Sequence, residues 1–347
     1  MTSGPAGDSA ASAPATMEAV AQAAKVSRAT VSRVLSGSTN VSAAVRRSVL
    51  DAVDRLGYVP NVMAQSLASR SSDMLGLLLR DPRVPAYALL HSVIQREVSR
   101  SRLHMISAVP DTEEGETHER AALDRLIGLR VAGLIISTGL LSSELIAPLT
   151  SRLPVVVVGR PEQHPDIYSI SYDEEDNARL MASAVANYGH RRVAVLSPIW
   201  GTETIRARLC IDLLRARGVE VVELTANLFN TPDEHCETVI AMARRGEITA
   251  AMFPSDHRLI RFLTEAKRAG LRVPEDLSVT GWDGGYDDDG LLGLTTVRIP
   301  IEAAAGRAAT RRRSGLVCAS PFCGGGVGGW WNSRRPCSTR GMSTARR

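Results

Sequence analysis

The 347-residue sequence has few aromatic residues, few cysteines and no long hydrophobic run. Aromatic side chains make up 4% of the chain, and the five cysteines are odd in number and irregularly spaced. This cysteine pattern argues against a disulfide framework and favours a reducing cytoplasm. No stretch of about 18 apolar residues occurs, which argues against a transmembrane helix and a membrane partner. The N-terminus lacks a basic start followed by an apolar run, so we expect no secretory signal.

Sequence patterns typical of enzymes are also missing. No glycine-rich turn is followed by Lys-Ser or Lys-Thr, and no G-x-S-x-G nucleophile elbow occurs. The histidines are scattered, and the acidic run at 283–289 has neither the spacing nor the twelfth-position acid of a calcium loop. We therefore expect no catalytic residues, no metal site and no cofactor.

Positive charge is concentrated at the two ends of the chain. Residues 16–70 contain seven Lys/Arg against three Asp/Glu, and residues 311–347 contain eight Arg and no acid. The stretch at 71–310 has a formal charge of −7, within a total of +4. A basic head on an acidic body indicates that the head meets a polyanion. An ordinary solvated basic face would give the same charge.

Three short segments near the N-terminus, each preceded by Ser or Thr, predict helices. The caps and helices are Thr16 before 17–24, Ser27 before 28–35, and Ser42 before about 43–56, which stops at Gly57. In the second helix the spacing predicts that Ala29, Val31 and Val34 pack inward, with Arg28, Ser32 and Arg33 pointing out. Two short helices at a tight turn, braced by a third, predict a helix-turn-helix head.

Several short motifs follow one another through this head and the segment after it. They are Val20-Ala21, Val26-Ser27, Thr30-Val31-Ser32-Arg33-Val34-Leu35, Val41-Ser42, Leu56-Gly57-Tyr58-Val59-Pro60-Asn61 and Ala64-Gln65-Ser66-Leu67. In this order they resemble the signature of the lactose-repressor (LacI-type) family. Two positions depart from that signature. Ala19 stands where the family usually has Asp, and Lys25 replaces a turn Gly, which would cost roughly 1 kcal/mol in a left-handed conformation.

The resemblance implies that the second helix lies in the major groove of DNA. Arg28, Ala29 and Arg33 would then face base edges, and Arg suits guanine because its forked donors match O6 and N7. Leu67 would be the apolar wedge that opens a minor-groove step. The other implied DNA contacts are Ser27, Thr30, Ser32, Asn61 and Ala64. The alternative is that Leu67 is a core residue and the arginines are only solvated.

From residue 73 onward, buried strands alternate with amphipathic helices. Strands are predicted at 74–79, 103–109, 131–137, 155–159, 192–196, 219–224, 250–253 and 278–281, and helices at about 87–100, 116–128, 178–188, 205–217, 233–244 and 259–269. This alternation predicts an α/β core of two doubly wound parallel-sheet subdomains with a cleft between them. Ligands in such folds bind beyond the carboxyl ends of the strands. The residues at those ends are Asp81, Arg160, Ser197, Ser255, Asp256 and Asp283.

The same family resemblance continues through the core, at 81–87, 153–160, 189–194, 273–279 and 294–298. It implies a periplasmic-binding-protein-like core whose cleft binds a small polar effector, often a sugar or a nucleobase. The implied effector contacts are Tyr87, Arg206, Ser255, Asp256, Trp282 and Asp283. Val84, Ala86 and Ser255 depart from the family's usual Asn, Phe and Asn. The alternative is that Asp256 caps the following helix and Arg206 is paired on the surface.

We therefore divide the chain by function into five parts. They are a disordered leader (1–15), the helix-turn-helix DNA-binding head (16–60), a hinge helix and linker (61–72), an effector-binding and dimerisation core (73–310), and an atypical basic Gly/Arg-rich tail (311–347). We hypothesise that a reading-frame change produced this tail.

The expected function is sequence-specific transcriptional regulation, with repression the commoner outcome in such families. The expected partners are a pseudo-palindromic DNA operator, a sugar-like effector and a second copy of the chain. A periplasmic binding protein would share the core but needs an export signal and no DNA-binding head. A second alternative is an effector-binding protein that does not regulate DNA productively because its C-terminal end is aberrant.

Overall fold

A computed structural model describes residues 15–38, 40–60, 73–101, 103–110, 115–199, 201–227, 235–286, 291–310 and 342–343. They belong to two units, a head that ends at Ser72 and a core that begins at Asp73. Some of the sequence predictions lie outside the described residues. These are residues 1–14 of the leader, the hinge segment with Asn61, Ala64 and Leu67, and all of the tail except 342–343.

The described part of the head contains three helices, as the sequence predicts. They are α1 (Met17–Ala23), α2 (Arg28–Leu35) and α3 (Ala43–Leu56). The predicted caps are confirmed, because Thr16, Ser27 and Ser42 each accept a hydrogen bond from the backbone N–H three residues later. Gly57 ends α3 in a left-handed conformation, with φ of 61°. Lys25, in the turn between α1 and α2, is also left-handed, with φ of 52°.

The core of the head is small and contains no buried aromatic residue among the described positions. Its buried residues are Val20, Ala21, Ala24, Val31, Val34, Val49 and Ala52. Ala29 is exposed, so the prediction that it packs inward is wrong. Ala29 precedes the buried Val31 by two residues, which is about 200° around a helix, so the two side chains point to opposite sides.

The first subdomain of the core is built on a five-stranded parallel sheet. Its strands are β1 (Met74–Leu79), β2 (His104–Ala108), β3 (Gly133–Ser137), β4 (Val155–Val158) and β5 (Tyr168–Ile170), in the order β2-β1-β3-β4-β5. Its helices are α4 (Pro85–Ser99), α5 (Glu116–Gly128) and α6 (Ser143–Thr150). The apolar runs of β1, β3 and β4 are buried, as expected of strands that are covered on both faces.

The second subdomain has a four-stranded parallel sheet. Its strands are β6 (Arg192–Pro198), β7 (Glu220–Ala226), β8 (Ala250–Met252) and β9 (Ser278–Thr280), in the order β7-β6-β8-β9. Its helices are α7 (Glu174–Asn187), α8 (Thr202–Ala216), α9 (Cys236–Arg244) and α10 (Asp256–Arg268). The two predicted doubly wound subdomains are therefore confirmed.

The chain passes between the subdomains at 171–173 and again at 298–300. After the second passage, α11 (Ile301–Thr310) packs against α4 and β4 of the first subdomain. The short strand β10 (Thr296–Val297) pairs antiparallel with β11 (Met342–Ser343). One hydrophobic cluster is shared by both subdomains and includes Ile94 of α4, Leu214 of α8 and Ala304 of α11. Among the described helices, none is both long and apolar enough to cross a bilayer.

Candidate functional site

The outward face of α2 presents the head's candidate DNA contacts. Arg28, Ala29, Ser32 and Arg33 are exposed on it. The Arg33 guanidinium folds back along the helix, where Nε donates to the Ala29 carbonyl oxygen at 3.3 Å and Nη2 to Thr30 Oγ1 at 3.4 Å. These exposed contacts are easily exchanged, so Arg33 is able to reach a partner in solution.

The beginning of α2 has a different arrangement. Ser27 Oγ caps the helix and lies 3.0 Å from Thr30 Oγ1. Arg28 Nη1 lies 3.7 Å from Glu18 Oε2 of α1, with both side chains about two-thirds exposed at 69% and 65%. Such an exposed pair contributes little to stability. The beginning of α2 therefore offers hydroxyl groups, helical N–H groups and a cation to an anionic partner.

A cavity of about 410 Å³ lies between the two subdomains of the core. This volume is in the range of small-molecule sites. The ends of β1, β3 and β4 line it from the first subdomain, together with the start of α4. The starts of α8 and α10 line it from the second. The cavity is therefore at the carboxyl ends of the parallel strands, where the sequence predicts it.

Four of the six predicted effector residues line this cavity: Tyr87, Arg206, Ser255 and Asp283. Asp256 and Trp282 are not among its lining residues, and both are almost fully buried, with exposures of 1% and 2%. Of the other strand-end candidates, Asp81 lines the cavity, whereas Arg160 and Ser197 do not. Arg160 instead donates from Nη2 to the Leu141 carbonyl oxygen.

Arg206 of α8 is held by several protein groups. Its Nη2 and Nε donate to Glu174 Oε1 and Oε2 of α7 at 2.9 and 3.1 Å. Its Nη1 donates to the Pro254 carbonyl oxygen at 3.2 Å and to Asp283 Oδ1 at 3.3 Å. The guanidinium carbon lies 4.6 Å from the centre of the Trp282 ring, a cation–π distance. Arg206 is thus paired but buried, and the alternative of a surface pair is wrong.

Burial lowers the pKa of Arg206, but the carboxylates of Glu174 and Asp283 outweigh that effect, so the net shift is upward. Arg206 therefore keeps its charge in the wall of the cavity. Burial raises the pKa of Asp283 well above its ordinary value, against the opposite effect of Arg206. Burial also raises the pKa of Tyr87 to about 12, so its phenol stays protonated at neutral pH.

Asp283 lies beside the second passage between the subdomains and forms a bridge with Arg298. Its backbone N–H donates to the Val297 carbonyl oxygen, and its own carbonyl oxygen accepts from the Ile299 N–H. Its φ of 101° is rare for a residue with a side chain. Strained residues of this kind are concentrated at functional sites, where the surrounding structure maintains them.

Asp256 stabilises the loop behind the cavity wall. Its Oδ2 accepts from the Gly284 N–H at 2.8 Å, and its Oδ1 lies 2.6 Å from the Thr296 hydroxyl oxygen, which donates to it. A Cβ at Gly281 would overlap Oδ1, so Gly281 must remain unsubstituted. The cap of α10 is Ser255, whose hydroxyl accepts from the Arg258 N–H. The alternative that Asp256 is the cap is therefore wrong.

Several lining residues were not predicted from the sequence. The charged ones are Arg80, Arg83, Glu203, His257, Arg258 and Arg261, and the polar ones include Thr138 and Tyr172. Arg80 adjoins the predicted strand-end residue Asp81, and this adjacency was the available signal. His257 likewise adjoins the predicted Asp256, whereas Glu203 and Arg261 had no such neighbour, and only the tertiary fold places them at the cavity. Among the described residues, no cluster of His, Cys, Asp or Glu is placed to hold a metal ion.

Three family models match the chain. "Bacterial regulatory proteins, lacI family" matches 16–61, "Periplasmic binding proteins and sugar binding domain of LacI family" matches 72–238, and "Periplasmic binding protein-like domain" matches 182–316. The first model covers the helices of the head, and the other two together cover both subdomains of the core.

Two relatives of known function are similar over most of their length. Catabolite control protein A of Priestia megaterium is 30% identical over 274 residues, which cover 76% of this chain and 81% of that protein. The HTH-type transcriptional regulator AscG of Escherichia coli (strain K12) is 30% identical over 301 residues, covering 82% and 87%. A crystal structure of the lac repressor dimer bound to operator and the anti-inducer ONPF superposes with a TM-score of 0.73 at 26% identity, covering 86% of this chain and 91% of that one.

Proposed function

Since this chain belongs to the lacI family of bacterial regulatory proteins, which are DNA-binding transcriptional regulators and not enzymes, we propose that it represses transcription under the control of a small polar effector. The observation that supports DNA binding most directly is the pair Arg28 and Arg33, exposed on the same helix of a capped three-helix head. In this proposal Arg33 and Arg28 read base edges in the major groove, and Ser27, Thr30 and Ser32 contact the backbone.

The proposed repressor acts as a homodimer on a pseudo-palindromic operator. Two heads related by two-fold symmetry would read half-sites about one helical turn apart. The similar lac repressor structure is a dimer bound to operator. In our division of the chain, residues 61–72 form the hinge, with Asn61 and Ala64 as contacts and Leu67 as the apolar wedge in the minor groove.

The effector is proposed to bind in the cavity between the subdomains. The cavity is lined by Tyr87 from the first subdomain and by Arg206, Ser255 and Asp283 from the second, so a ligand there contacts both. A ligand that binds one arrangement of the subdomains better than another shifts the population toward it. The factor by which the effector changes the affinity for the operator is equal to the ratio of the effector's affinities for the DNA-bound and the free protein.

The decisive experiment is selection of bound duplexes from random DNA, repeated with a panel of neutral and charged sugars and nucleosides. We expect enrichment of one pseudo-palindromic sequence, and a change in its recovery when the effector is present. Recovery of random sequences, with binding that depends only on salt, would contradict the proposal. The alternative of an effector-binding protein without productive DNA regulation has no observation in its favour, and the same selection tests it.

A further inference from the structure

The lining of the cavity contains more cationic than anionic side chains. The arginines are Arg80, Arg83, Arg206, Arg258 and Arg261, and the acids are Asp81, Glu203 and Asp283. Two of the acids are paired with lining arginines, Asp81 with Arg83 at 3.0 Å and Asp283 with Arg206 at 3.3 Å. The lining therefore has a net positive charge, although the stretch of chain from 71 to 310 is acidic as a whole.

The positive charge is greatest at the start of α10. His257, Arg258 and Arg261 all line the cavity, and Arg258 and Arg261 are three residues apart, so they lie on one face of the helix. Burial lowers the pKa of His257, and the charges of Arg258, Arg261 and Arg83 lower it further. The opposing influence is Asp81, and the His257 Nδ1 lies 2.9 Å from the Tyr286 hydroxyl oxygen.

Three helices also begin at this cavity. Residues at the first turns of α4, α8 and α10 line it, and neither α4 nor α8 has a side-chain cap. Each helix N-terminus carries a partial positive charge that faces the cavity. These dipoles add to the charge of the arginines, and both favour a ligand with negative charge.

The wall around Arg206 suits a different chemical group. The guanidinium already donates to Glu174, to the Pro254 carbonyl oxygen and to Asp283, which leaves it little capacity for a ligand anion. Asp283, with Tyr87 and Tyr172 in the same lining, offers acceptors and hydroxyl groups instead. This side of the cavity therefore matches the hydroxyl groups of a ligand.

We infer that the effector is a small hydroxylated anion, a sugar bearing a phosphate monoester or a carboxylate, whose anionic group binds Arg258 and Arg261. This inference rests on the proposed function only in calling the ligand an effector. Its chemical basis is the matching of a charge-assisted, forked donor to a planar or tetrahedral anion.

The test is isothermal titration calorimetry of the full chain with matched sets of probes. Each set is a neutral aldose (glucose, galactose, mannose or ribose), its terminal phosphate monoester and its aldonic acid. The variants are Arg258→Gln, Arg261→Gln and, as a control on the same helix, Arg268→Gln, which is exposed, pairs with Glu265 and does not line the cavity. Circular dichroism checks that each variant keeps its fold.

We expect at least one anionic probe to bind about tenfold or more tightly than its neutral parent, with an affinity that falls as salt rises. Arg261→Gln and Arg258→Gln should each remove most of this preference, and Arg268→Gln should preserve it. The phosphate and carboxylate arms separate the two kinds of anion. The inference is overturned if neutral sugars bind as tightly as their anionic forms, if no anionic probe binds at millimolar concentration, or if the α10 variants keep the preference.

DNA binding is measured on the same preparation, so that a failure of the proposed function can be distinguished from a failure of the anionic-ligand inference. Loss of specific DNA binding with anion binding intact would remove the proposed function and leave an anion-binding core. Specific DNA binding with a neutral effector would remove the inference and leave the proposed function.

Discussion

The head and the core place their functional arginines in opposite environments. In the head, Arg28 and Arg33 are exposed on α2, and their partners within the protein are few and loosely held. In the core, Arg206 is 5% exposed and is held by Glu174, Asp283 and the Pro254 carbonyl oxygen. Exposed charges can be exchanged for a new partner at little cost to stability, whereas a buried charge cannot lose its partner without a large penalty.

In the head, the arginines proposed to bind DNA therefore contribute little to stability, whereas in the core Arg206 lines the cavity and also stabilises the fold. A substitution on the outward face of α2 should change what the protein binds and leave it folded. A substitution of Arg206 should destabilise the core whether or not the residue also contacts the effector. Four experiments test this comparison.

The largest expected effect follows the loss of Arg206. In Arg206→Ala, the Glu174 carboxylate stays buried without its partner, so we expect the free energy of unfolding of the core to fall by about 3–5 kcal/mol. Guanidinium denaturation followed by circular dichroism measures this change. The exposed Arg268, which pairs with Glu265 on the surface of α10, provides a matched Arg→Ala control with little expected loss. A loss of less than about 1 kcal/mol for Arg206→Ala would contradict the contrast between the two regions.

The second effect concerns the pH dependence of core stability. Burial raises the pKa of Asp256 to about 6, so the folded state binds this proton more tightly than the unfolded state does. The contribution of Asp256 to the free energy of unfolding is therefore most favourable below its unfolded pKa and decreases as pH rises through about 6.

Asp256→Asn tests the direction of this pH dependence, because the amide does not ionise. It is also able to accept from the Gly284 N–H and to donate to the Thr296 hydroxyl oxygen. We expect it to stabilise the core by on the order of 1–3 kcal/mol near pH 8, and the gain to disappear near about pH 4. Urea denaturation at the two pH values measures it, with the exposed Asp212 of α8 as an Asp→Asn control. A gain that grows toward acid would show that the sign is wrong.

In the head, Arg33→Ala should change recognition without unfolding. We expect it to remove about 1–3 kcal/mol of discrimination between the selected operator and random DNA, and to leave weak, salt-sensitive binding. Competition gel-shift measurements give the specificity ratio, and thermal unfolding provides the stability control. Unchanged specificity would refute the assignment of Arg33 to base reading.

The smallest effect is expected at the turn between α1 and α2. Lys25 has a left-handed backbone, and glycine adopts that conformation without the strain of a Cβ. Lys25→Gly should stabilise the head by about 0.5 kcal/mol, because the relief of strain exceeds the added entropy of the unfolded chain. Lys25→Ala, which keeps the strain, is the control. Equal stability of the two variants, measured by thermal unfolding without DNA, would show that the turn is not strained.

The sequence predicted most elements of the core, and the exceptions have local causes. It missed β5, which has three residues and is too short to show a period, and α6, which contains Pro148. It also missed β10 and β11, with two residues each, and the alanine-rich α11. The observed helices α7, α8 and α10 begin three or four residues before their predicted starts, because their first turns are polar, and those of α8 and α10 line the cavity. Hydrophobic periodicity does not detect a helical turn that faces a polar cavity.

For the candidate site, the sequence indicated six residues but could not tell which of them line the cavity. The four that line it are Tyr87, Arg206, Ser255 and Asp283. Asp256 and Trp282 are adjacent in sequence to lining residues, yet both lie behind the wall, where Asp256 holds Gly284 and Trp282 packs against Arg206. In an irregular segment, neighbouring residues point in different directions, and only the path of the backbone decides which one reaches the cavity.

The sequence by itself determined the head of this protein, the alternation of the core and the family to which the chain belongs. Helix caps, the stop at Gly57 and hydrophobic periodicity are local features, and the interactions behind them join residues a few positions apart. Only the tertiary structure decided the partners of Arg206, the burial that raises the pKa of Asp256, and the position of the α10 arginines at the cavity. Those properties depend on desolvation and charge pairing between residues far apart in the chain, such as Glu174 with Arg206, and packing alone brings them together.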